Sequence, residues 1–378
     1  MTRVLVVLGT RPEAIKLAPV VRALREHPGN RGEAILCSTG QHKEMLADAL
    51  AGFELKPDLD LAVMRPGQTP ADVVGRLMLE LGPVFTEHKP DWVVVQGDTA
   101  TVMAASLAAF LHRIPVAHVE AGLRTSDRWQ PFPEEINRRV AGVVADVHFA
   151  ATAGSRDNLL REGVPAADVL LAGNTVIDAL QWMVQRVQDR PLPVDLQGRR
   201  MVLVTAHRRE SFGEPFRDLC QALRDIADEY EDVHLVYPVH LNPNVQQPVK
   251  EILGGHERIS LIDPKPYPDF VNMIAKAHLI ITDSGGVQEE APALGKPVLV
   301  LREKTERPEA VAAGVVKLVG TDHAKITGEA RALLTDEAAY RAMARPTHVY
   351  GDGLASKRIA ERLLDGTMTT PEFKSVVD

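Results

Sequence analysis

The sequence predicts an α/β protein made of two doubly wound, parallel-sheet domains that face a cleft. Short, almost continuously apolar runs rich in Val, Ile and Leu alternate with segments of helical period from end to end. Such runs are typical of parallel strands that helices cover on both faces. The chain is also 378 residues long, beyond the size at which a single hydrophobic core keeps growing.

Twelve apolar runs are the predicted strands, six in each half of the chain. They span residues 4–8, 34–38, 92–95, 116–119, 147–150 and 169–172 in the first half, and 201–205, 234–237, 259–262, 279–282, 298–301 and 315–318 in the second. The segments between them predict helices. In the first of these, Ile15, Ala18, Val21 and Leu24 recur at helical spacing after Pro12, a residue favoured in a first helical turn.

We expect an N-terminal domain of residues 1–172 and a C-terminal, ligand-binding domain of residues 173–352. The last helix, within residues 353–378, is expected to pack back on the first domain. In doubly wound sheets the ligand binds beyond the carboxyl ends of the strands. Functional side chains are therefore expected directly after strands, in the cleft.

Composition and charge exclude several classes of protein. Hydrophobic residues make up 45% of the chain and charged residues 25%, and the net charge of −8 argues against nucleic acid or an anionic membrane as a partner. No stretch approaches the ~20 apolar residues that span a membrane, and the first apolar run is too short for a secretory signal. Two distant cysteines, Cys37 and Cys220, fit a reducing compartment. We expect a cytoplasmic protein.

A glycine and two cations follow the first predicted strand, in the segment Gly9-Thr-Arg-Pro-Glu-Ala-Ile-Lys16. Glycine permits a sharp turn, and the N–H groups at a helix start favour an anion. Arg11 and Lys16 would add positive charge there. The alternative is that both side chains are simply solvated, which is the more frequent case for an arginine and a lysine in a first helical turn.

A second glycine-rich turn follows the strand at 279–282. Ser284, Gly285 and Gly286 would place a hydroxyl and unobstructed backbone N–H groups at a helix start, which suits a diphosphate. Glu290 lies further along the same helix, where a carboxylate can accept both ribose hydroxyls. The alternative is a turn that only permits close packing.

Three carboxylates form the third candidate cluster. Asp98 and Glu120 each follow or end an apolar strand, and Glu134 opens a helix after Pro-Phe-Pro. Carboxylates gathered where a sugar binds are typical of general acid–base chemistry. The structural alternative is that Glu134/Arg138 and Glu135/Arg139 are simply i,i+4 helix pairs.

Two histidines, His207 and His240, follow two strands of the second half and point to the same expected cleft. No His/Cys/Asp set has the spacing of metal ligands, so we expect no metal. No GxGxxG or GxxxxGK[ST] motif occurs, which argues against a dinucleotide cofactor and a P-loop.

Taken in order, these motifs resemble those of the non-hydrolysing UDP-N-acetylglucosamine 2-epimerase family. The segments that carry the resemblance are GTRPEAIK, GQH, GDT, HVEAGLR, PEEINRR, GNTVIDAL, HRRESFG, YPVHLNPNV, TDSGGVQEEAPALGKPVL and TERPEAV. The similarity runs in order from residue 3 to about residue 365, essentially the whole chain. The resemblance implies two Rossmann-like domains of the GT-B type, of which the second, residues 173–352, binds UDP. It also implies a homodimer.

The resemblance also implies an isomerase that interconverts UDP-GlcNAc and UDP-ManNAc without a cofactor and supplies ManNAc for cell-surface polysaccharide. UDP would leave C1 as a base removes the C2 proton, and the resulting 2-acetamidoglucal would take UDP back with a proton on the other face. The implied catalytic residues are Asp98, Glu120, Glu134 and His207. The implied or candidate substrate-binding residues are Arg11, Lys16, Arg138, His240, Phe270, Ser284, Gly285, Gly286, Glu290 and Arg307.

Other functions remain open at this point. A GT-B glycosyltransferase would use the same nucleotide sugar but needs an acceptor groove, because a fold alone does not fix a function. A hydrolysing relative would release free ManNAc. A catalytically silent nucleotide-sugar sensor would tolerate the loss of the three carboxylates, which are all present. The sequence does not decide which carboxylate is the acid and which is the base.

The chain departs from the family at a second, activating UDP-GlcNAc site. Some members of the family form that site with a Gln-His-x-Gln segment and an Arg-Gln pair. Gln41, His42 and Gln68 match these positions, but Glu44 replaces the second glutamine and Gly67 replaces the arginine. Losing a charge-assisted contact costs about 1.5–3 kcal/mol. Arg65 could compensate only if the turn at Pro66-Gly67 redirects its side chain. We therefore expect a second UDP-GlcNAc to bind weakly or not at all.

Overall fold

The structure, a computed structural model, describes residues 1–29, 31–40, 43–65 and 67–375. The chain forms two compact units. The first unit contains Met1–Gln181 and Tyr350–Ser375, and the second unit contains Trp182–Val349. The chain therefore passes from the first unit to the second once, and its last helix belongs to the first unit.

Thirteen strands are present in the part of the chain that the structure describes. They are β1 (Thr2–Leu8), β2 (Gly32–Ser38), β3 (Leu59–Asp60), β4 (Trp92–Gln96), β5 (Val116–Ala121), β6 (Val147–Ala150), β7 (Val169–Leu171), β8 (Arg200–Thr205), β9 (Val233–Pro238), β10 (Ile259–Ile262), β11 (Leu279–Thr282), β12 (Val298–Val300) and β13 (Val316–Leu318). All twelve predicted strands are found, and the two-residue β3 is the additional one.

The helices fill the intervals between strands, as the alternating pattern predicts. They are α1 (Arg11–Arg25), α2 (Lys43–Gly52), α3 (Pro70–His88), α4 (Ala100–Leu111), α5 (Glu134–Val144), α6 (Ala153–Arg161), α7 (Thr175–Val187), α8 (Glu214–Glu229), α9 (Pro243–Leu253), α10 (Tyr267–Lys276), α11 (Gly285–Ala293), α12 (Pro308–Ala312), α13 (His323–Thr335), α14 (Glu337–Met343) and α15 (Ala355–Asp365).

The first unit is built on a seven-stranded sheet in the order β3-β2-β1-β4-β5-β6-β7, and the paired strands are parallel. Residues 4–8 of β1 are completely buried. Because successive side chains of a strand point to opposite faces, this burial shows that helices cover both sides of the sheet. The strand order reverses between β1 and β4, which is where doubly wound sheets place their ligands.

The second unit repeats this plan with a six-stranded parallel sheet in the order β10-β9-β8-β11-β12-β13. Its order reverses between β8 and β11. Residues 279–281 of β11 are completely buried. The segments that leave β8 and β11 therefore start next to each other at the carboxyl edge of this sheet.

The C-terminal helix α15 packs against α1 in the first unit. Gly32 permits this close approach, since a Cβ atom at that position would lie 2.8 Å from Cδ1 of Leu364. Arg358 of α15 forms two hydrogen bonds with Asp352, at 2.7 and 2.6 Å, and donates to the carbonyl of Ala172 at 2.9 Å. These contacts fix the last helix on the sheet that holds the candidate carboxylates.

Within residues 1–29, 31–40, 43–65 and 67–375, no helix is long and apolar enough to cross a membrane.

Candidate active site

Glu120 occupies an irregular position near the end of β5. The strand register shifts between Val119 and Ala121, and Glu120 has a φ of 59°. This left-handed conformation is unfavourable for a residue with a side chain, and such conformations cluster at functional sites. The bulge is one of the devices by which a strand re-aims a single side chain.

Three side chains donate hydrogen bonds to the carboxylate of Glu120. Lys16 Nζ and Asn174 Nδ2 lie 2.6 and 3.0 Å from Oε1, and Gln96 Nε2 donates to Oε2. Glu120 is 7% exposed. A buried carboxylate with an ammonium group and two amide donors is stabilised in its ionised form.

Asp98 follows β4 and lies close to the same charges. Arg138 Nη2 is 3.3 Å from Oδ2 of Asp98, and Asn137 donates to its backbone carbonyl at 2.9 Å. Burial raises the pKa of Asp98 to about 6 against the opposing charge of Arg138, and the carboxylates of Glu120 and Glu134 add to the rise. The side chain is still 31% exposed, so a ligand can reach it.

Glu134 is the first residue of α5, where the helix dipole favours an anion. Its Oε2 atom is buried and has no hydrogen-bond partner in the described part of the chain. Burying a polar atom without a partner costs about 1–3 kcal/mol, so such an atom requires an explanation. A hydrogen-bond donor on a bound ligand would provide one.

Its neighbours in α5 have structural contacts instead. Glu135 is completely buried and accepts hydrogen bonds from Thr125, at 3.1 Å, and from Arg139, at 2.9 Å. Arg138 approaches Glu135 at 3.6 Å as well as Asp98. Of the two pairs considered as helix contacts, Glu135/Arg139 is thus present as an ion pair.

The start of α1 is fixed by a capping box between Thr10 and Glu13. Glu13 accepts the backbone N–H of Thr10 at 2.6 Å and the hydroxyl of Thr99, which caps α4, at 2.7 Å. The helix that carries Arg11 and Lys16 is therefore tied to the loop after β4. The pKa of Glu13 is raised by its burial, against the opposing effect of these hydrogen bonds.

In the second unit, His207 lies beside Asp283 after β8 and β11. Asp283 Oδ2 accepts the backbone N–H groups of His207, at 2.5 Å, and Arg208, at 2.7 Å. The rings of His207 and His240 are stacked, with centroids 5.3 Å apart and an interplanar angle of 8°. Burial lowers the pKa of His240, and the neighbouring His207 lowers it further.

The turn from β11 into α11 is formed by Ser284, Gly285 and Gly286, with Ser284 as the N-cap. A Cβ atom on Gly285 would lie 2.8 Å from Nη1 of Arg307, so glycine is required for the guanidinium group to lie against this turn. Glu289 holds Arg307 through an Nε–Oε1 hydrogen bond of 2.7 Å. The backbone N–H groups of a helix start and a fixed cation thus occur together.

Glu290 lies on the same helix and is 5% exposed. Tyr267, the first residue of α10, donates its hydroxyl to Glu290 Oε1 at 2.6 Å. Phe270 is half-buried on the same turn of α10. Tyr267 therefore restricts the rotation of a carboxylate that was predicted to bind ribose.

The candidate residues fall into two groups, one in each unit. The first group contains Lys16, Asp98, Glu120, Glu134 and Arg138, with Arg11 at the start of α1. The second contains His207, His240, Phe270, Ser284, Gly285, Gly286, Glu290 and Arg307. The described residues contain no group of three or more His, Cys, Asp or Glu side chains that would hold a metal ion.

The candidates for a second nucleotide-sugar site are only partly described. Gln41 and His42 lie outside the described residues. Gln68 is described, and its side chain accepts the backbone N–H of Arg65 and donates to the carbonyl of Val63 at 3.2 Å. It is therefore engaged with its own loop.

The sequence patterns did not predict the residues that orient the candidate site residues. They are Gln96, Asn174, Asp283, Tyr267 and Glu289. Asp283 had a recognisable signal, a carboxylate placed directly after a buried strand. Tyr267 had none, because its contact with Glu290 depends on how two helices pack.

Comparisons with known proteins cover almost the whole chain. The family model described as UDP-N-acetylglucosamine 2-epimerase matches residues 22–364. A UDP-N-acetylglucosamine 2-epimerase of Yersinia pestis is 53% identical over 376 residues, which are 97% of this chain and 100% of the relative. That of Escherichia coli (strain K12) is 52% identical over 370 residues, covering 96% of this chain and 98% of the relative.

A solved structure is similar over both units. The UDP-GlcNAc 2-epimerase from Neisseria meningitidis, bound to UDP-GlcNAc, is 45% identical, has a TM-score of 0.90, and covers 96% of this chain and 100% of its own. The predicted fold class, two Rossmann-like domains of the GT-B type, is confirmed. The chain belongs to the UDP-N-acetylglucosamine 2-epimerase family and is an isomerase.

Proposed function

We propose that the protein interconverts UDP-GlcNAc and UDP-ManNAc by a non-hydrolysing elimination and re-addition of UDP, without a cofactor. The observation that carries the proposal is the group of carboxylates in the first unit. The charges of Glu120 and Glu134 both act on Asp98, and the cations of Lys16 and Arg138 lie beside Glu120 and Asp98. Epimerisation at C2 requires groups that remove and return a proton there.

In the first half-reaction a carboxylate takes the C2 proton of the sugar. The electrons of the C–H bond form the C1–C2 double bond of 2-acetamidoglucal, and those of the C1–O bond leave with UDP. In the second half-reaction UDP adds back to C1, and C2 receives a proton on its other face. No electron is gained or lost overall, so the reaction needs no redox partner.

The surroundings of the carboxylates suggest a division of roles. Glu120 accepts hydrogen bonds from Lys16, Gln96 and Asn174, so we assign it to orient and stabilise the reacting sugar rather than to exchange a proton with it. Asp98, with a pKa of about 6, is best matched to proton exchange near neutral pH.

Glu134 is the second proton-exchanging group in this scheme. Its buried Oε2 lacks a partner in the described residues, so this oxygen is available to a hydrogen of the bound sugar. In this scheme Asp98 and Glu134 would exchange protons on the two opposite faces of C2.

The second unit supplies the groups for UDP. Ser284 and the following glycines offer backbone N–H groups at the start of α11 to the diphosphate, and Arg307 adds a fixed cation. His207 is assigned to the departing diphosphate as well. Such preorganised donors count most where negative charge grows in the transition state. Glu290 and Phe270 are assigned to the ribose and the uracil.

We also propose a homodimer that works in the cytoplasm and supplies ManNAc for cell-surface polysaccharide. Support for the dimer comes from apolar side chains on the adjacent helices α3, α4 and α5. Leu79, Phe110, Leu111 and Val143 are between 57% and 85% exposed there. Exposed apolar side chains grouped on one layer of helices are typical of interfaces. Both cysteines are free and buried, in keeping with a reducing compartment.

The proposal is tested by incubating the protein with UDP-GlcNAc and analysing the products by proton NMR. UDP-ManNAc without free ManNAc is the expected result. Free ManNAc would identify a hydrolysing enzyme, and consumption of UDP-GlcNAc only in the presence of a sugar acceptor would identify a glycosyltransferase. An unchanged substrate with tight binding would identify a sensor.

A further inference from the structure

Asp283 has contacts that none of the assigned roles explain. It follows β11 directly, is 1% exposed, and precedes the N-cap Ser284 of α11. Its Oδ2 atom accepts the backbone N–H groups of both His207 and Arg208. This oxygen therefore ties the segment after β8 to the end of the neighbouring strand.

The other oxygen of the carboxylate is directed to the imidazole. Asp283 Oδ1 lies 3.2 Å from Nδ1 of His207, but it is buried and makes no well-aligned hydrogen bond within the described part of the chain. A small rotation of the ring would align an Nδ1–H group with this oxygen. The stacked ring of His240 limits the rotation of His207 on one side.

The charge state of the pair suits such a contact. Burial alone would raise the pKa of Asp283, but the hydrogen bonds and the charge of His207, with the backbone N–H of Arg208, hold it below its ordinary range. An ionised carboxylate beside Nδ1 favours the imidazole tautomer that carries its proton there. It also stabilises the imidazolium that forms when the other nitrogen is protonated.

We propose that Asp283 is a positioning residue that holds His207 with its proton on Nδ1, so that Nε2, once protonated, donates to the departing diphosphate. The inference rests on the proposed function, in which UDP leaves C1. His207 is 38% exposed on its side chain, so its second nitrogen is available to a ligand. Asp283 itself has no contact with the substrate in this scheme.

The variant Asp283→Asn separates positioning from a structural role. The amide oxygen of the substituted side chain can still accept the two backbone N–H groups, so the segment stays anchored. Its NH₂ group would then face Nδ1 and keep the single proton of His207 on Nε2. The ring could still donate from Nε2, but it could no longer take a second proton on Nδ1 and carry a positive charge to the departing diphosphate. A merely structural Asp283 would tolerate this change, whereas a positioning residue would not.

We expect Asp283→Asn to lower kcat by about 100-fold while the Kd for UDP changes by less than about threefold. The double variant Asp283→Asn/His207→Gln should be no slower than the slower single variant, because the two residues act as a unit. Asp232→Asn is the matched control, since Asp232 forms an exposed ion pair with Arg200 at the opposite end of the strands. It should leave kcat unchanged.

The tautomer is read directly from imidazole ¹⁵N shifts of protein labelled in histidine, with the His207 signals identified by their loss in His207→Gln. An Nδ1–H form in the wild-type protein and an Nε2–H form in Asp283→Asn support the proposal. A folded Asp283→Asn variant with normal kcat, or the same tautomer in both proteins, would overturn it. If the wild-type protein does not form UDP-ManNAc, the proposed function fails instead, and the tautomer measurement still decides whether Asp283 positions His207.

Discussion

Lys16 Nζ lies 2.6 Å from Oε1 of Glu120, although 104 residues separate the two in sequence. The contact joins the start of α1, which follows β1, to the irregular end of β5. It is possible because the sheet order places β4 next to both strands. The ammonium group stabilises the charge of Glu120, and Glu120 in turn fixes the only charged atom of a long, flexible side chain.

Replacing either of two carboxylates by its amide should slow the reaction strongly. Glu120→Gln and Glu134→Gln are each expected to lower kcat by about 100-fold or more. The first variant loses a charge that stabilises the reacting sugar, and the second loses a group that exchanges a proton with it. Steady-state kinetics with UDP-GlcNAc measures this. Glu26→Gln, which alters an exposed i,i+4 pair with Arg22, is the control and should be neutral. Near-normal kcat in a folded variant would remove that residue from the mechanism.

Asp98 should make the stability of the first unit depend on pH. Its pKa is raised from 3.8 to about 6, so the native state binds the proton more tightly than the unfolded chain does. Protonated Asp98 therefore contributes to the free energy of unfolding below about pH 4, and this contribution is lost as the pH rises through about 6. Asp98→Asn mimics the protonated form at every pH, so the variant should become relatively more stable as the pH rises.

The difference in unfolding free energy between Asp98→Asn and the wild-type protein should be near zero at about pH 4 and reach about 1–2 kcal/mol by about pH 7.5. This value is below the full conversion of the pKa shift because the side chain is 31% exposed. Urea unfolding at both pH values measures it. Burial also raises the pKa of Asp178 to about 6. Asp178 is present in both proteins, so its contribution cancels in the difference between their unfolding free energies. A difference that shrinks with rising pH would contradict the assignment.

A methyl group on Gly285 should act through Arg307. It would lie 2.8 Å from Nη1 and displace the guanidinium group from the turn before α11. Gly285→Ala is therefore expected to lower kcat in the same sense as Arg307→Ala, because the cation acts mainly on the charge that grows on the leaving diphosphate. Gly328→Ala is the matched control, since a Cβ atom there meets open space on α13. If both Gly285→Ala and Arg307→Ala raise KM alone, the leaving-group role is wrong.

Much of the fold and part of the site followed from sequence patterns. Twelve strands were predicted because buried parallel strands give continuous apolar runs in the sequence. The strand β3 was missed because it is only two residues long, too short to show a hydrophobic period. Asp98 and Glu120 were found because they follow or end such runs. Asn174 and Tyr267 were missed as partners, because their contacts with Glu120 and Glu290 depend on strand register and helix packing. Such distances are set only by the tertiary structure.

The reverse reaction should not need an activator. Gln68 is engaged with Arg65 and Val63 of its own loop, and Gly67 stands where some family members have an arginine. Purified UDP-ManNAc, free of UDP-GlcNAc, is therefore expected to be epimerised without a lag, and the rate should depend hyperbolically on UDP-GlcNAc in the forward direction. Strict dependence of the reverse reaction on traces of UDP-GlcNAc would show that a functional second site exists.

The central claim, that C2 loses its proton and regains one from solvent while UDP leaves and returns, is tested most directly by deuterium incorporation. The protein is incubated with UDP-GlcNAc in D₂O, and the nucleotide sugars are analysed by mass spectrometry and proton NMR. We expect UDP-ManNAc that carries one deuterium at C2, and no free ManNAc. UDP-ManNAc that retains the original hydrogen at C2 would contradict the account, because the proton would then never have been exchanged through the carboxylates.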